Sequence, residues 1–185
     1  ENGLGIAMFG TSRAAIEPVF KEKADRFGAG LTEILPSDTT IAIMDGNGPG
    51  MMKVAREMAK KHQYLRVSFG MDFEQVGELP DFDSEALLFF QGDHIEYRQT
   101  FFEYLHTVSI CNLGGDATDY ERVLAKLKVS LANSLPLPMY WMDGREQGGT
   151  HFYDGAMKQM DMMTSASGPY PALSREWVSK LVVLA

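Results

Sequence analysis

Short runs of consecutive apolar residues alternate with segments of helical periodicity along the chain. The apolar runs predict strands at residues 5–9, 40–44, 65–69, 86–90, 108–111 and 137–142. The segments between and after them predict helices at about 14–27, 51–61, 95–106, from about 119, 152–163 and 175–181. Strands that are apolar throughout are typical of a sheet covered on both faces. The pattern therefore predicts an α/β fold: a three-layer domain with a mostly parallel central sheet and helices on both faces.

Composition and charge exclude several classes of function. The 185 residues contain no repeat or low-complexity linker, so we expect one domain over 1–185. The formal net charge of −8 argues against a nucleic-acid-binding protein, which usually has a basic face. No apolar run reaches the roughly 18 residues that span a bilayer, so we expect no membrane partner and a cytoplasmic location. The sequence begins at Glu1 rather than methionine, so we expect a trimmed chain, with any targeting segment outside it.

Glycine-bearing turns follow three of the predicted strands. Gly10 follows the first strand, residues 46–50 follow the second, and the pair Gly114 and Gly115 follows the strand at 108–111. Because ligands of open parallel sheets bind beyond the carboxyl ends of the strands, we expect these turns to line one crevice. None of the turns has the G-x-G-x-x-G spacing and there is no Walker lysine, which disfavours a dinucleotide-binding oxidoreductase and a P-loop protein.

The stretch 113–121 (LGGDATDYE) carries the strongest chemical signal. A glycine pair between a strand and a helix permits a sharp turn with exposed N–H groups. These groups lie at the positive end of the helix dipole, which attracts a phosphate. Glu121 falls in the first turn of the following helix, and Arg98 lies in the helix before the strand. An anion-binding turn, a nearby acid and an arginine indicate a nucleotide site at which a reaction takes place.

These residues resemble the motifs of the LOG family, the cytokinin riboside 5′-monophosphate phosphoribohydrolases. The family's P-G-G-x-G-T-x-x-E motif is matched in register by Gly114, Gly115, Thr118 and Glu121. Arg98 followed by Gln99 resembles the family's R-K pair, at the family's distance from the glutamate. Further matches, in the family's order, are residues 9–13 (FGTSR), 46–52 (GNGPGMM) and 73–75 (FEQ). The resemblance extends from about residue 6 to residue 142.

The resemblance implies a Rossmann-like fold, usually a homodimer, that hydrolyses the N-glycosidic bond of a nucleoside 5′-monophosphate. The products would be the free base and ribose 5-phosphate. A small-molecule nucleotide is the implied partner, and no metal, PLP or redox cofactor is implied. The implied catalytic residues are Arg98 and Glu121. The implied substrate-binding residues are Gly10, Ser12, Arg13, Gly46, Gly48, Gly50, Glu74, Gly114, Gly115, Asp116, Ala117 and Thr118.

The residue types suit this reaction. Cleavage of an N-glycosidic bond develops positive charge on the sugar, as in glycoside hydrolysis. The Glu121 carboxylate can stabilise that charge and accept a proton from the attacking water. Arg98 can orient a phosphate or the sugar hydroxyls, or it can pair with Glu121 and keep it ionised.

Four positions depart from the family's motifs. Leu113 replaces the proline, Ala117 replaces the third glycine, and carboxylates stand at Asp116 and Asp45. A unit charge at about 4 Å is worth around 4 kcal/mol at an effective dielectric near 20, so carboxylates facing a phosphate would weaken its binding. Three interpretations stay open. The usual nucleotide is cleaved with the aspartates turned away, a different glycoside is cleaved, or the chain is a non-catalytic nucleotide- or cofactor-binding carrier.

Overall fold

The structure is a computed structural model that describes residues 3–12, 17–70, 83–89, 108–111, 139–141 and 182–184. These residues form seven strands and two helices. The helices are α1 (Glu17–Ile34) and α2 (Met51–Lys61). The strands are β1 (Gly3–Phe9), β2 (Thr40–Asp45), β3 (Leu65–Gly70), β4 (Ala86–Phe89), β5 (Val108–Cys111), β6 (Met139–Trp141) and β7 (Val182–Leu184).

All seven strands form one parallel sheet in the order β4-β3-β2-β1-β5-β6-β7. The chain moves outward from β1 to β4, and β5 then pairs with the other side of β1, with Phe9 opposite Cys111. The strand order therefore reverses between β1 and β5, as in doubly wound folds. This topology confirms the predicted α/β fold with its parallel sheet.

Both described helices cover the same side of the sheet. One apolar cluster joins alternate residues of the two central strands to both helices, and its buried members are Ile6, Met8, Phe20, Ala24, Leu31, Ile41, Ile43, Met51, Val54, Ala55, Met58 and Ala59. Ala7 and Phe9 of β1 are also buried, although their side chains lie on the opposite face of the strand from Ile6 and Met8. β1 is therefore buried on both faces, as its continuous apolar sequence predicts.

Helix α1 is longer than its sequence pattern suggests. The prediction ended it near residue 27, but the helix continues through Gly28 and Gly30 to Ile34. Leu31 maintains the apolar stripe beyond the glycines and is buried against α2. At Gly28, a Cβ atom would lie 2.5 Å from His62 Cδ2 and 2.8 Å from Met58 Sδ. Gly28 thus permits the close approach of α1 to α2.

The remaining elements agree with the sequence pattern to different degrees. Helix α2 has the predicted bounds, and each of the six predicted strands is present within one or two residues at its described ends. Strand β7 was not predicted, because a helix was expected up to residue 181 and the apolar run after it is short. The helices expected at 95–106, from 119, at 152–163 and at 175–181 lie outside the described residues.

Substituting the two glycines of α1 separates helix packing from helix propensity. We expect Gly28→Ala to lower the free energy of unfolding by about 1–2 kcal/mol, because the partly buried His62 and the buried Met58 side chains must move. Gly30→Ala is the matched control, since a Cβ there has no neighbour within 4 Å in the described part of the chain. It should stabilise the protein by about 0.5–1 kcal/mol through helix propensity alone. Urea unfolding of both variants checks this, and equal stabilisation by both would contradict the proposed close contact.

Candidate functional site

Two loops meet at the carboxyl edge of the sheet. Residues 10–12 follow β1, and residues 46–50, called the 46–50 loop below, follow the neighbouring strand β2. The Met51 N–H at the start of α2 donates to the Thr11 carbonyl over 3.0 Å, which links the two loops. Since β1 lies between β2 and β5, this junction borders the place where the strand order reverses. Doubly wound sheets bind their ligands there.

The 46–50 loop contains two residues with left-handed backbone. Asn47 has φ 65°, a conformation that asparagine tolerates better than most residues. Gly50 combines φ 68° with ψ −129° immediately before α2, a combination that in practice only glycine adopts. The glycine at position 50 is therefore required for the chain to enter α2 at this angle.

Several N–H groups of the 46–50 loop already have acceptors within the protein. The Gly50 N–H donates to Glu17 Oε1 of α1 over 3.1 Å, and Gly48 N–H approaches Met52 Sδ at 3.3 Å. Lys53 Nζ donates to Glu17 Oε2 over 3.3 Å. The Glu17 carboxylate thus provides the negative charge that the positive end of helix α2 favours. A phosphate bound at this edge would have to use other donors.

Asp45 ends β2 with its carboxyl group fully buried. It follows Ile41 and Ile43 at alternate positions, so its side chain lies on the helix-covered face of the sheet. Oδ1 accepts hydrogen bonds from the Asn47 N–H at 2.6 Å and from Arg56 Nη1 at 2.5 Å. Oδ2 accepts a hydrogen bond from the Ser68 hydroxyl at 3.1 Å. The carboxylate is therefore directed into the protein and neutralised there.

Arg56 completes this buried cluster from α2. Its side chain is 3% exposed, and its second terminal nitrogen donates to the Gly48 carbonyl over 2.8 Å. The Ser68 hydroxyl also lies 2.6 Å from that of Ser84, just before β4. The cluster of Asp45, Arg56, Ser68 and Ser84 consequently connects the 46–50 loop with α2, β3 and the segment that leads into β4.

Burial raises the pKa of the Asp45 carboxyl to about 6 from its ordinary value of 3.8. The Arg56 guanidinium, the Asn47 N–H and the Ser68 hydroxyl oppose this effect, because they stabilise the ionised form. At neutral pH the carboxyl group is ionised and paired with Arg56. Acidification below about pH 6 protonates it and weakens that pair.

The Asn47 side chain is a second unusual polar group in the 46–50 loop. The residue is 0% exposed, and neither its Oδ1 nor its Nδ2 has a hydrogen-bond partner among the residues that the structure describes. Buried amide groups are normally paired, since an unpaired one costs about 1–3 kcal/mol. Asn47 is therefore a candidate for a contact that this structure does not contain.

The structure brings together five of the predicted substrate-binding residues, namely Gly10, Ser12, Gly46, Gly48 and Gly50. It also shows that the Asp45 carboxylate is directed into the protein; the first of the three interpretations needs both aspartates turned away, and Asp116 lies outside the described residues. The other predicted site residues lie outside the described residues: Arg13, Glu74, Arg98, Gly114, Gly115, Asp116, Ala117, Thr118 and Glu121. The strand that precedes most of them, β5, is the neighbour of β1 at the reversal of strand order.

Sequence reasoning did not identify Arg56, Ser68 or Glu17 as parts of this edge, and it assigned no role to the Asn47 side chain. A signal for Arg56 was present, because Asp45 continues the buried register of Ile41 and Ile43 and needs a cation. In α2, the exposed positions include Lys53, Glu57 and Lys60, whereas Arg56 is buried among the core-facing residues. Ser68 and Glu17 are brought to the loop by tertiary packing and have no local signature.

No described helix is long and apolar enough to cross a membrane. Among the same residues, no group of three or more His, Cys, Asp or Glu side chains is arranged to hold a metal ion.

Comparisons with known proteins identify the fold rather than a family. No protein-family model and no curated protein sequence matches the chain. The solved structure of the structural-genomics target TM1055 has a TM-score of 0.56 at 11% identity, covering 85% of this chain and 81% of that one. The molybdenum cofactor binding protein of Rippkaea orientalis has a TM-score of 0.56 at 14% identity, covering 100% of this chain and 89% of that one. The molybdenum cofactor carrier protein of Chlamydomonas reinhardtii has a TM-score of 0.53 at 16% identity, covering 100% of this chain and 89% of that one.

The raised pKa of Asp45 predicts how stability depends on pH. The folded protein holds this proton more tightly than the unfolded chain does, so the stability contributed by Asp45 is complete below about pH 4. It is lost as the pH rises through about 6, with a slope of at most ~1.4 kcal/mol per pH unit.

Chemical unfolding of the wild type and of Asp45→Asn between pH 4 and pH 8 measures this contribution. Because the asparagine does not titrate, the stability of the wild type relative to the variant should fall between pH 4 and 6 and stay constant above. A constant difference over the whole range would contradict the assigned pKa.

Proposed function

We propose that this protein binds a nucleoside 5′-monophosphate at the carboxyl edge of its sheet and cleaves the N-glycosidic bond. The observation that carries the proposal is the junction of residues 10–12 with the 46–50 loop, through Met51 and Thr11, beside the reversal of strand order. Both segments belong to motifs that resemble those of the LOG family. A ligand at this edge would also lie close to the carboxyl end of β5, from which the chain leads into the 113–121 motif.

The residues of the resembling motifs supply the proposed chemistry. The N–H groups of residues 114–118 and the Thr118 hydroxyl would hold the 5′-phosphate. Glu121 would stabilise the positive charge on the ribose and take a proton from water as it attacks the anomeric carbon. The base would leave with the electron pair of the broken bond and acquire a proton, so that the products are free base and ribose 5-phosphate.

The contacts of the 46–50 loop indicate which part of the ligand each loop would bind. Three of its N–H groups have internal acceptors in Asp45, Glu17 and Met52. We therefore assign this loop to the sugar or base side of the ligand, where the absence of side chains at Gly46 and Gly48 allows close approach. The phosphate is assigned to the 114–118 turn.

A non-catalytic nucleotide or cofactor carrier is the second candidate. Two of the solved structures that share this fold are named as a molybdenum cofactor binding protein and a molybdenum cofactor carrier protein. The altered turn at Asp116 and Ala117 also favours this candidate, since it departs from the motif of the hydrolases. A carrier would bind its ligand at the same edge and release it unchanged.

Incubation with a panel of nucleoside 5′-monophosphates, followed by chromatography for free base, distinguishes the two functions. The hydrolase predicts release of base and ribose 5-phosphate in equal amounts from at least one nucleotide. Calorimetric binding without base release would establish the carrier instead. Neither binding nor release, with the protein shown to be folded, would reject both candidates.

Glu121→Gln tests the assigned mechanism. The substitution retains the shape of the side chain but removes the negative charge and the basic oxygen, so we expect kcat to fall at least about 10³-fold while nucleotide affinity changes little. Glu57→Gln is the matched control, because Glu57 lies on the exposed face of α2 and pairs with Lys21. The control should retain wild-type turnover, and unchanged turnover in Glu121→Gln would remove this residue from the mechanism.

A further inference from the structure

Asp45 and Arg56 form an ion pair that is almost completely removed from solvent, with side chains 0% and 3% exposed. Removing two charges from water carries a large desolvation penalty that their mutual attraction often fails to recover. Apolar side chains of similar volume commonly give equal or greater stability at such positions. Stability alone is therefore a weak reason for an ion pair at this place.

The further hydrogen bonds of the pair go to the backbone of the 46–50 loop. Asp45 accepts from the Asn47 N–H at 2.6 Å, and Arg56 donates to the Gly48 carbonyl at 2.8 Å. Asp45 thus holds a hydrogen-bond donor of the loop, and Arg56 holds a hydrogen-bond acceptor at the next residue. The Gly48 carbonyl, whose negative end would repel an anionic ligand, is engaged by a positive charge inside the protein.

We propose that Asp45 and Arg56 are positioning residues that hold the 46–50 loop in its ligand-binding shape. The proposal rests on the proposed nucleotide site, to which the loop belongs. The pair fixes the N–H of the left-handed residue Asn47 and the carbonyl of the next residue, Gly48, and so sets the direction of the turn. The loop would lose this shape if either charge were removed.

The neighbours of the pair make its effect depend on pH. Among the described residues, the groups in contact with the Asp45 carboxylate are Arg56 from α2, Ser68 from β3 and the Asn47 N–H. Glu17 from α1 accepts a hydrogen bond from the Gly50 N–H of the same loop, and Lys53 from α2 donates to Glu17. Burial raises the pKa of Asp45 to about 6, so acidification neutralises the carboxylate and weakens its hold on Arg56.

A double substitution separates positioning from simple stabilisation. Asp45→Leu combined with Arg56→Met removes both charges and fills the space with apolar atoms, which should keep the urea midpoint at or above that of the wild type. The hydrogen bonds to Asn47 and Gly48 are lost, so we expect adenosine 5′-monophosphate to bind at least tenfold more weakly by calorimetry. Wild-type affinity in this variant would overturn the proposal.

The matched control is Asp25→Leu combined with Lys61→Met, which likewise replaces an acidic residue by leucine and a basic residue by methionine, but in an exposed ion pair between α1 and α2. It should retain the wild-type affinity.

If the buried double variant fails to fold, the comparison is made between the wild type and Asp45→Asn. The phosphate of the probe titrates near pH 6 in both proteins, so the ratio of their affinities isolates Asp45. The ratio of the wild-type affinity to the Asp45→Asn affinity should fall at least fivefold from pH 7.5 to pH 5. A ratio independent of pH would overturn the proposal.

Failure of the proposed function is distinguishable from failure of this inference. If the wild type binds no nucleoside monophosphate, the nucleotide site is rejected, and hydrogen exchange without ligand then tests the pair. The amides of the 46–50 loop should exchange at least tenfold faster in Asp45→Asn than in the wild type. Unchanged exchange would show that the pair does not hold the loop.

Discussion

The contact between the buried carboxylate of Asp45 and the guanidinium of Arg56 is the interaction on which this edge of the molecule depends. The alternation of β2 places Asp45 on the face that α1 and α2 cover, where an ionised group needs a partner. Arg56 provides that partner and at the same time binds the Gly48 carbonyl. Through these contacts a strand, a helix and the loop between them adopt one mutually consistent arrangement.

The packing of α1 on α2 supports the same edge from a distance. Gly28 allows the two helices to approach closely, and its carbonyl accepts a hydrogen bond from Tyr64 Oη at 2.6 Å. At its other end, α1 places the Glu17 carboxylate at the Gly50 N–H, immediately before α2. The position of α1 therefore affects the shape of the 46–50 loop, although Phe20, Ala24 and Leu31 of this helix pack in the apolar core.

The sequence pattern was sufficient for the parallel sheet, the position of α2 and the loops at the carboxyl edge, because apolar runs and glycine turns are local signals. It was insufficient for the length of α1, since Gly28 is a stop signal by local rules and a packing position in the folded protein. The direction of Asp45 could have been read from Ile41 and Ile43, but its contacts with Ser68 and the placement of Glu17 arise from tertiary packing. Arg98 and Glu121 lie outside the described residues, and their roles stay predictions.

The central claim is that a nucleotide binds where residues 10–12 and the 46–50 loop meet, beside β5. Hydrogen exchange of the wild-type protein, with and without saturating adenosine 5′-monophosphate, tests it most directly. The account predicts slower exchange in the peptides that contain residues 10–12, 46–50 and 114–118, with little change on the exposed face of α2. Protection confined to other parts of the chain, with these three segments unchanged, would contradict it.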